Sequence, residues 1–393
     1  MVVEERRRAM VLAIRRGSTF RKVCRRFGVS LGVVQYWVRR AQGQRLDRIE
    51  FCNHSPGLSK AVNRICRAIE RQVLSLRKKL REHSPLGECG AARIRQELLS
   101  LRITPVPCVR TIGRILQRFG VLDGRRRVRR PPPPKGWYLP SVARVQAEID
   151  SFDTITDLVI KGGYDVTVLN GISLHGGLPA SWPEPRLTAK IAVERLLEHW
   201  QIYGLPTYVK FDNDTIFQGA HQWPNSFGRV TRLCLQLGVT PVFTPPREPG
   251  FQAEIESFNG RWQRAVWHRF VHRNIKALKS RSDRFLKAIH VQSAQRIQSA
   301  PERRELSTHF RPDYHRSLSG TVIFLRRTDA TGRVGCLGHH WLVDRNWPHR
   351  LVRIEVDLTA KKLRFYALRR REPYAQPLLK TIVYHPPKHP FYG

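Results

Sequence analysis

Acidic residues are scarce in this 393-residue chain: 31 Asp and Glu stand against 70 Lys and Arg, a formal net charge of +39. That imbalance argues against a basic partner and for a polyanion, nucleic acid foremost, without separating an enzyme from a packaging protein. Long apolar runs are missing as well. No stretch reaches the roughly 18 uncharged apolar residues of a membrane span, so no membrane partner is expected. The opening MVVEERRRAM lacks the apolar segment of a secretory leader. The seven cysteines, at 24, 52, 66, 89, 108, 234 and 336, form no CxxC pair, and no second Cys/His pair follows Cys52 and His54. A structural zinc is therefore not expected, and the thiols read as idle groups of a reduced, cytoplasmic protein. What is present is a 41% apolar content, enough to exclude wholesale disorder, on a length suited to two to four domains.

The positive charge is concentrated at the front. Residues 1–140 carry 33 Lys/Arg against 9 Asp/Glu and residues 141–393 carry 37 against 22, so the first third, at +24, is the densest candidate for phosphate contact. Its apolar residues recur at helical spacing. Met10, Val11 and Ile14 share one face ahead of Gly17-Ser18-Thr19. Phe20, Val23, Cys24 and Phe27 share another ahead of Gly28-Val29-Ser30, where Gly28 suits a positive φ and Ser30 a helix cap. Residues 30–41 then place Val34, Trp37 and Val38 inward and Gln35, Arg39 and Arg40 outward. This pattern over 1–45 resembles a helix-turn-helix DNA-binding domain with 30–41 as its recognition helix. A plain three-helix bundle with a charged face has the same spacing. A second helical group at 59–122, with helices over 61–81, 90–99 and 108–119, reads as another such module. The run RRRVRRPPPP within 123–140 can neither bury its charge nor enter a helix or central strand. Arg125, Arg126, Arg127, Arg129 and Arg130 are therefore expected along phosphates in an extended linker.

From 141 the pattern changes. Residues 145–160 read as a strand, Lys161-Gly162-Gly163 as a turn, and YDVTVLNGIS (164–173) as the returning strand. A helix over 187–203, a strand over 207–211, a helix over 230–237, a strand over 238–243 and a helix over 250–270 follow. That order suggests an α/β domain with a mixed sheet. Three acids fall where it can gather them: Asp153 in the first strand, Asp212 at the end of a later one, Glu256 on the last helix. Carboxylates converging from separate elements suit hard divalent cations, and two such cations can serve phosphoryl transfer. Each acid alone also suits a cap, turn or ion pair, and Asp212-Asn213-Asp214 is good turn chemistry. Asp150 is an alternative first acid. It lies three residues from Asp153 and so faces the other side of a strand, which leaves room for only one of them beside Asp212 and Glu256.

Asp153 ahead of the Gly-Gly turn and VLNGIS, FDND at 211–214, and GVTPVFTPP at 238–246 followed by QAEIESFNGRW at 252–262 together resemble the catalytic core of integrase-type DDE transposases, relatives of retroviral integrases. The resemblance implies an RNase H-like core over 141–305. It implies that Asp153, Asp212 and Glu256 are catalytic and hold two Mg²⁺ or Mn²⁺ ions; Glu256, two residues before Phe258 and three before Asn259, is favoured over Glu254. It also implies binding to mobile-element ends and target DNA, phosphodiester hydrolysis, strand transfer, and a homo-oligomer when two ends are joined. Asp214 stands where relatives often have Gly, and Gly219 to Gly228 looks like an insertion.

Short alternating strands from 320 onward suggest a small β-barrel over 318–390, SH3-like by the same resemblance; its basic and aromatic side chains suit DNA contact, and a purely packing role has the same pattern. The expected fold is thus multidomain: all-α helix-turn-helix modules, an α/β RNase H-like core with a mixed sheet, and the barrel. Arg261 and Arg264, beyond Glu256, are expected to hold DNA ends, although a solvated helix face has the same pattern. His175 and His199 receive no catalytic role. Two rivals remain: a sequence-specific regulator with an inactive core, against which the three acids argue, and a nuclease of the same fold without strand transfer.

Overall fold

The computed structural model describes residues 3–53, 65–122, 134–219, 224–248, 250–370 and 372–385. The five linker arginines, 125–127, 129 and 130, lie outside the described residues. The chain clusters into two compact units, Met1–Ile69 and Glu70–Gly393.

The first unit contains α1 (Val3–Arg15), α2 (Phe20–Phe27) and α3 (Leu31–Arg40). Gly28 ends α2 with φ of 59°, a left-handed conformation that a side chain resists. The core is Met10, Val11, Val23, Val34, Trp37, Ala41 and Phe51, with Ile14, Cys24, Phe27 and Val38 partly buried against it; Phe20, expected on the inner face, is exposed.

The helices of the second helical group are α4 (Arg67–His83), α5 (Ala91–Ser100) and α6 (Val109–Arg118). The second unit begins within the first turn of α4 and takes in the rest of that group. Leu76, Ile94, Leu98, Ile112 and Leu116 are buried, and Arg118 pairs with Glu70. Arg269, from the second half of the chain, donates to the carbonyls of Glu82 and Ser84 and ties this group to the rest of the unit.

After α7 (Pro140–Ala143), β1 (Ile149–Ile160), β2 (Tyr164–Ser173) and β3 (Pro179–Glu184) form an antiparallel meander. The β1–β2 turn is made by Gly162 and Gly163, at φ of 96° and 80°. In β2, Gly171 lies opposite Phe152, where a Cβ would collide with the ring. Strand β3 was not among the expected elements, and it contains Pro179 and Pro183. It is tolerated at the edge of the sheet, where missing N–H donors are not required. Next come α8 (Ala189–Tyr203), β4 (Tyr208–Phe211), α9 (Thr215–Gln218), α10 (Arg229–Gln236), β5 (Thr240–Phe243), α11 (Ala253–Trp262) and α12 (Ile275–Gln298). The helix expected over 250–270 is α11 followed by a π turn, Gln263–Trp267. On one face of the sheet Phe152, Val209 and Phe211 pack with α8 and α10. On the other, Ile155, Val166 and Val168 pack with Ile255, Phe258 and Trp262 of α11 and with α12.

The C-terminal strands are β6 (Thr321–Arg327), β7 (Arg333–Cys336), β8 (His339–Leu342), β9 (Leu351–Asp357), β10 (Lys362–Ala367) and β11 (Leu378–Val383). The small β-barrel expected over 318–390 is not a separate sheet. Strand β6 pairs with β5 in parallel, Val242 opposite Ile323 and Phe243 opposite Phe324. One nine-stranded sheet results, in the order β11-β10-β9-β6-β5-β4-β1-β2-β3, with β7 and β8 as a separate hairpin. The physical reason is that TVIFLRR is apolar on both faces: Phe324 enters one core and Ile323 and Leu325 another. A strand buried on both sides belongs inside a sheet.

Phe324 is fully buried, its ring 5.1 Å from that of Phe243. Phe324→Ala is expected to cost about 3–5 kcal/mol and to lower the melting of residues 70–393 as one transition. Separate unfolding of the C-terminal strands, with the main transition unmoved, would contradict this architecture.

Candidate active site

Strand pairing brings the first two acids together. Parallel β1 and β4 match Ile149 with Tyr208, Asp150 with Val209 and Ser151 with Lys210, a constant offset of 59. The same offset carries Asp153 to Asp212. Asp153 is half-buried on the face that packs against α11, and its carboxyl is pushed up from 3.8 to about 6. Burial is the largest cause, Asp212 the next, and Glu256 contributes in the same direction. Asp212 is also raised, chiefly by burial. Glu256 is exposed in the first turn of α11. Three carboxylates from a strand, a strand end and a helix thus feel or exert one another's charge.

Asp150 faces the other way. It is buried, accepts a hydrogen bond of 3.1 Å from Trp200 Nε1 on α8, and pairs with Arg303. Next to it His199 is buried and lowered to about 4, mainly by desolvation, so it is neutral at physiological pH. These groups anchor the α8 side of the sheet.

Several residues that sequence spacing did not single out shape the site. Asn259 Nδ2 donates to Asp153 Oδ2 at 2.8 Å, and Asn170 Nδ2 donates to Asn259 Oδ1 at 2.8 Å. This chain of amides orients one carboxylate oxygen while the Thr154 N–H, at 2.9 Å, takes the other. Lys210, two residues before Asp212, is buried and donates to Tyr138 Oη, to the Phe251 carbonyl and to Glu254 at 3.1 Å. Glu254 is therefore the partner of a buried cation, while Glu256, two residues on, is exposed. Arg326 of β6 is buried too. It donates to the Thr244 carbonyl at 2.9 Å and to Asn213 Oδ1 at 2.8 Å, and Asn213 Nδ2 donates to the same carbonyl. The segment after Asp212 and the start of the loop to α11 are thus held from the C-terminal part of the chain. The signal for Lys210 was a single Lys inside an otherwise apolar strand; Arg326 is one of two arginines that end β6 and carried no such signal.

The residues expected to touch DNA are distributed unevenly. Gln35 and Arg39 are exposed on α3. Arg40 is turned inward, its guanidinium 5.1 Å over the Trp37 ring and bonded to the Cys52 carbonyl, because the indole offers a cation–π surface. Arg264 is exposed. Arg261 is engaged by Glu88 at 3.3 Å and by Gln292 at 3.0 Å rather than standing free.

The donor set suits a hard cation in kind, since carboxylate oxygens crowd one another's charge at Asp153 with an amide as their side-chain donor. Among the described residues, however, no three His, Cys, Asp or Glu side chains are arranged to hold a metal ion as they stand.

No family model matches this chain, and no curated protein matches it. Solved structures similar to it include a chain of the simian T-cell lymphotropic virus intasome in complex with PP2A regulatory subunit B56 gamma. That chain is 14% identical, with a TM-score of 0.33, covering 69% of this chain and 92% of that one. The HTLV-2 integrase catalytic core domain in complex with magnesium, in its dimeric form, is 12% identical with a TM-score of 0.26, covering 42% and 88%. Its trimeric form has the same identity and TM-score, covering 42% and 87%. Scores this low decide nothing about this chain, and its own side chains carry the functional reading.

Because folding raises the Asp153 pKa, the folded state holds that proton more tightly, and ionisation costs stability as pH rises from 3.8 through about 6. Asp153→Asn, whose amide loses one of the two acceptors at every pH, is therefore expected to change Tm more favourably above pH 6 than near pH 4 in metal-free buffer, by a few degrees, the scale of about 1 kcal/mol or more. An equal shift at both pH values would deny the charge crowding. Lys210→Met, which strands Glu254 and two hydrogen-bond acceptors, is expected to cost about 3–5 kcal/mol in urea unfolding. A loss well under that range would show that the buried cation does not hold α11.

Proposed function

We propose that this protein is a DNA transposase or integrase-type recombinase with an RNase H-like core. It would bind the ends of its element, cut a phosphodiester there, and join the freed 3′-hydroxyl to target DNA. The observation that carries the reading is Asp153 of β1, raised by burial, by Asp212 just past the end of the parallel neighbour β4, and by Glu256. Such crowding in a half-buried place opposes stability and is characteristic of functional sites.

In this reading Asp153, Asp212 and Glu256 would hold two Mg²⁺ or Mn²⁺ ions, Glu256 turning inward from its exposed position. When bound, the ions would lower the pKa of the attacking hydroxyl and neutralise charge on the departing oxygen. Asn259 presents Asp153 through a fixed hydrogen bond, and Lys210 and Arg326 hold the segments that carry Glu256 and Asp212. The net charge of +39 draws DNA to the protein. Residues of the first unit, with Gln35 and Arg39 outward on α3, would read the element end as a helix-turn-helix, and the chain would act as a homo-oligomer on two ends.

Glu256→Gln is expected to abolish metal-dependent cleavage and joining of end DNA while leaving end binding intact. It should also remove the rise in Tm that Mg²⁺ or Mn²⁺ produces in the wild type. Joining at the wild-type rate by this variant would end the assignment. Cleavage without any joined product in the wild type would identify a nuclease instead. Arg39→Ala is expected to weaken end binding, and loss of one phosphate contact would reduce the log–log salt slope by roughly 0.9. An unchanged titration would place recognition elsewhere.

A further inference from the structure

The loop from β5 to α11 borders a second concave site, a cavity of about 520 Å³, within the roughly 300–1,000 Å³ of sites that enclose a small ligand. Its floor is apolar: Phe251 from the loop, Trp137, and Leu351 and Leu368 of the C-terminal strands and their flanks. Its rim is cationic, with Arg350, Arg369 and Arg370. Arg327 on one wall is already paired with Glu248, and Arg369 is paired with the exposed Glu372 at 3.1 Å. Among the described residues no carboxylate pairs with Arg350 or Arg370. Both are exposed. The Arg350 guanidinium lies 4.6 Å over the Trp347 ring, a flat cation already stacked on an aromatic platform.

An apolar floor beneath a cationic rim selects a ligand that is flat and apolar at one end and anionic at the other. Bare phosphate leaves the floor unused. A duplex turns its phosphates outward and keeps its bases stacked inside, so it meets the rim alone. An unstacked nucleotide matches both parts, with base–aromatic and base–arginine stacking for one and charge for the other. We propose that this cavity receives one unpaired nucleotide of a DNA strand, its base against the floor and its phosphate at Arg350 and Arg370. The proposal rests on the DNA reading above and adds to it a site for single-stranded DNA. Glu248, Gly250 and Phe251 line the cavity, and the same loop runs into the helix that carries Glu256. A nucleotide held here would keep a strand end open close in sequence to the proposed chemistry.

The test uses the full chain without divalent cation, so that no cleavage intervenes. A blunt DNA duplex is compared with the same duplex bearing a short single-stranded 3′ tail that carries 2-aminopurine. The wild type is expected to prefer the tailed duplex by about tenfold, within the range that stacking of one base supplies, and to change the fluorescence of the tail. Arg350→Ala combined with Arg370→Ala should erase both effects, with blunt-duplex binding and thermal melting retained. Equal binding of tailed and blunt duplex by the wild type overturns the proposal, as does a preference that survives in the double variant. Displacement of the tail by an equal concentration of deoxyadenosine monophosphate overturns it too, because the cavity would then be a free-nucleotide site. Wild-type protein that binds and, with Mg²⁺, cuts DNA yet shows no tail preference loses only this cavity. Protein that binds neither duplex loses the DNA reading and the cavity together.

Discussion

The parallel pairing of β1 with β4 is the constraint on which the rest of the structure depends. Its offset of 59 residues decides which acids meet. Alternation along β1 then sends Asp153 toward α11 and Asp150 toward α8, where Trp200 and Arg303 neutralise it. A slip of one residue would exchange the two faces and put Phe152 where a carboxylate now stands. The aromatic packing of Phe152 beneath Gly171 and against Phe211 opposes that slip. The proposed chemistry and the hydrophobic core are therefore set by the same register.

The interior handles its charges in two ways. On the α8 side an acid and an arginine are paired outright. Nearer the three acids of the proposed site, buried cations bind segments of backbone instead: Lys210, paired with Glu254, also holds the Phe251 carbonyl, and Arg326 holds the Thr244 carbonyl. A guanidinium among carbonyl oxygens satisfies its donors without cancelling a nearby carboxylate, although burial lowers its pKa. Negative charge is left crowded at Asp153, and the loops on either side of it are fixed. Because Arg326 comes from β6, the C-terminal strands are part of that scaffold as well as an extension of the sheet.

Much of this was legible in the order of residues. Apolar spacing located the helices of the first unit, the β1–β2 hairpin and the α/β alternation, because periods of 3.6 and 2 are local properties. The three acids were picked out by chemistry and motif before any partner was known. Other features were hidden for equally physical reasons. Pro179 and Pro183 stand within the edge strand β3, which was not among the expected elements. The spacing on α3 pointed Arg40 outward, yet Trp37, three residues away, offered it a better surface. Arg261 looked free because Glu88, on a distant loop, is invisible to helical periodicity.

The sequence by itself determined the surplus of positive charge, the kinds of elements and their order, and the two candidate first acids on opposite faces of one strand. The tertiary structure alone decided that Asp153 is the one near Asp212, that Glu254 serves a buried lysine, and that the C-terminal strands join the central sheet. The reason is common to all three. Each turns on which surfaces meet across tens or hundreds of residues, and that is chosen by packing of the whole unit, whereas spacing along the chain reports only which side of its own helix or strand a residue occupies.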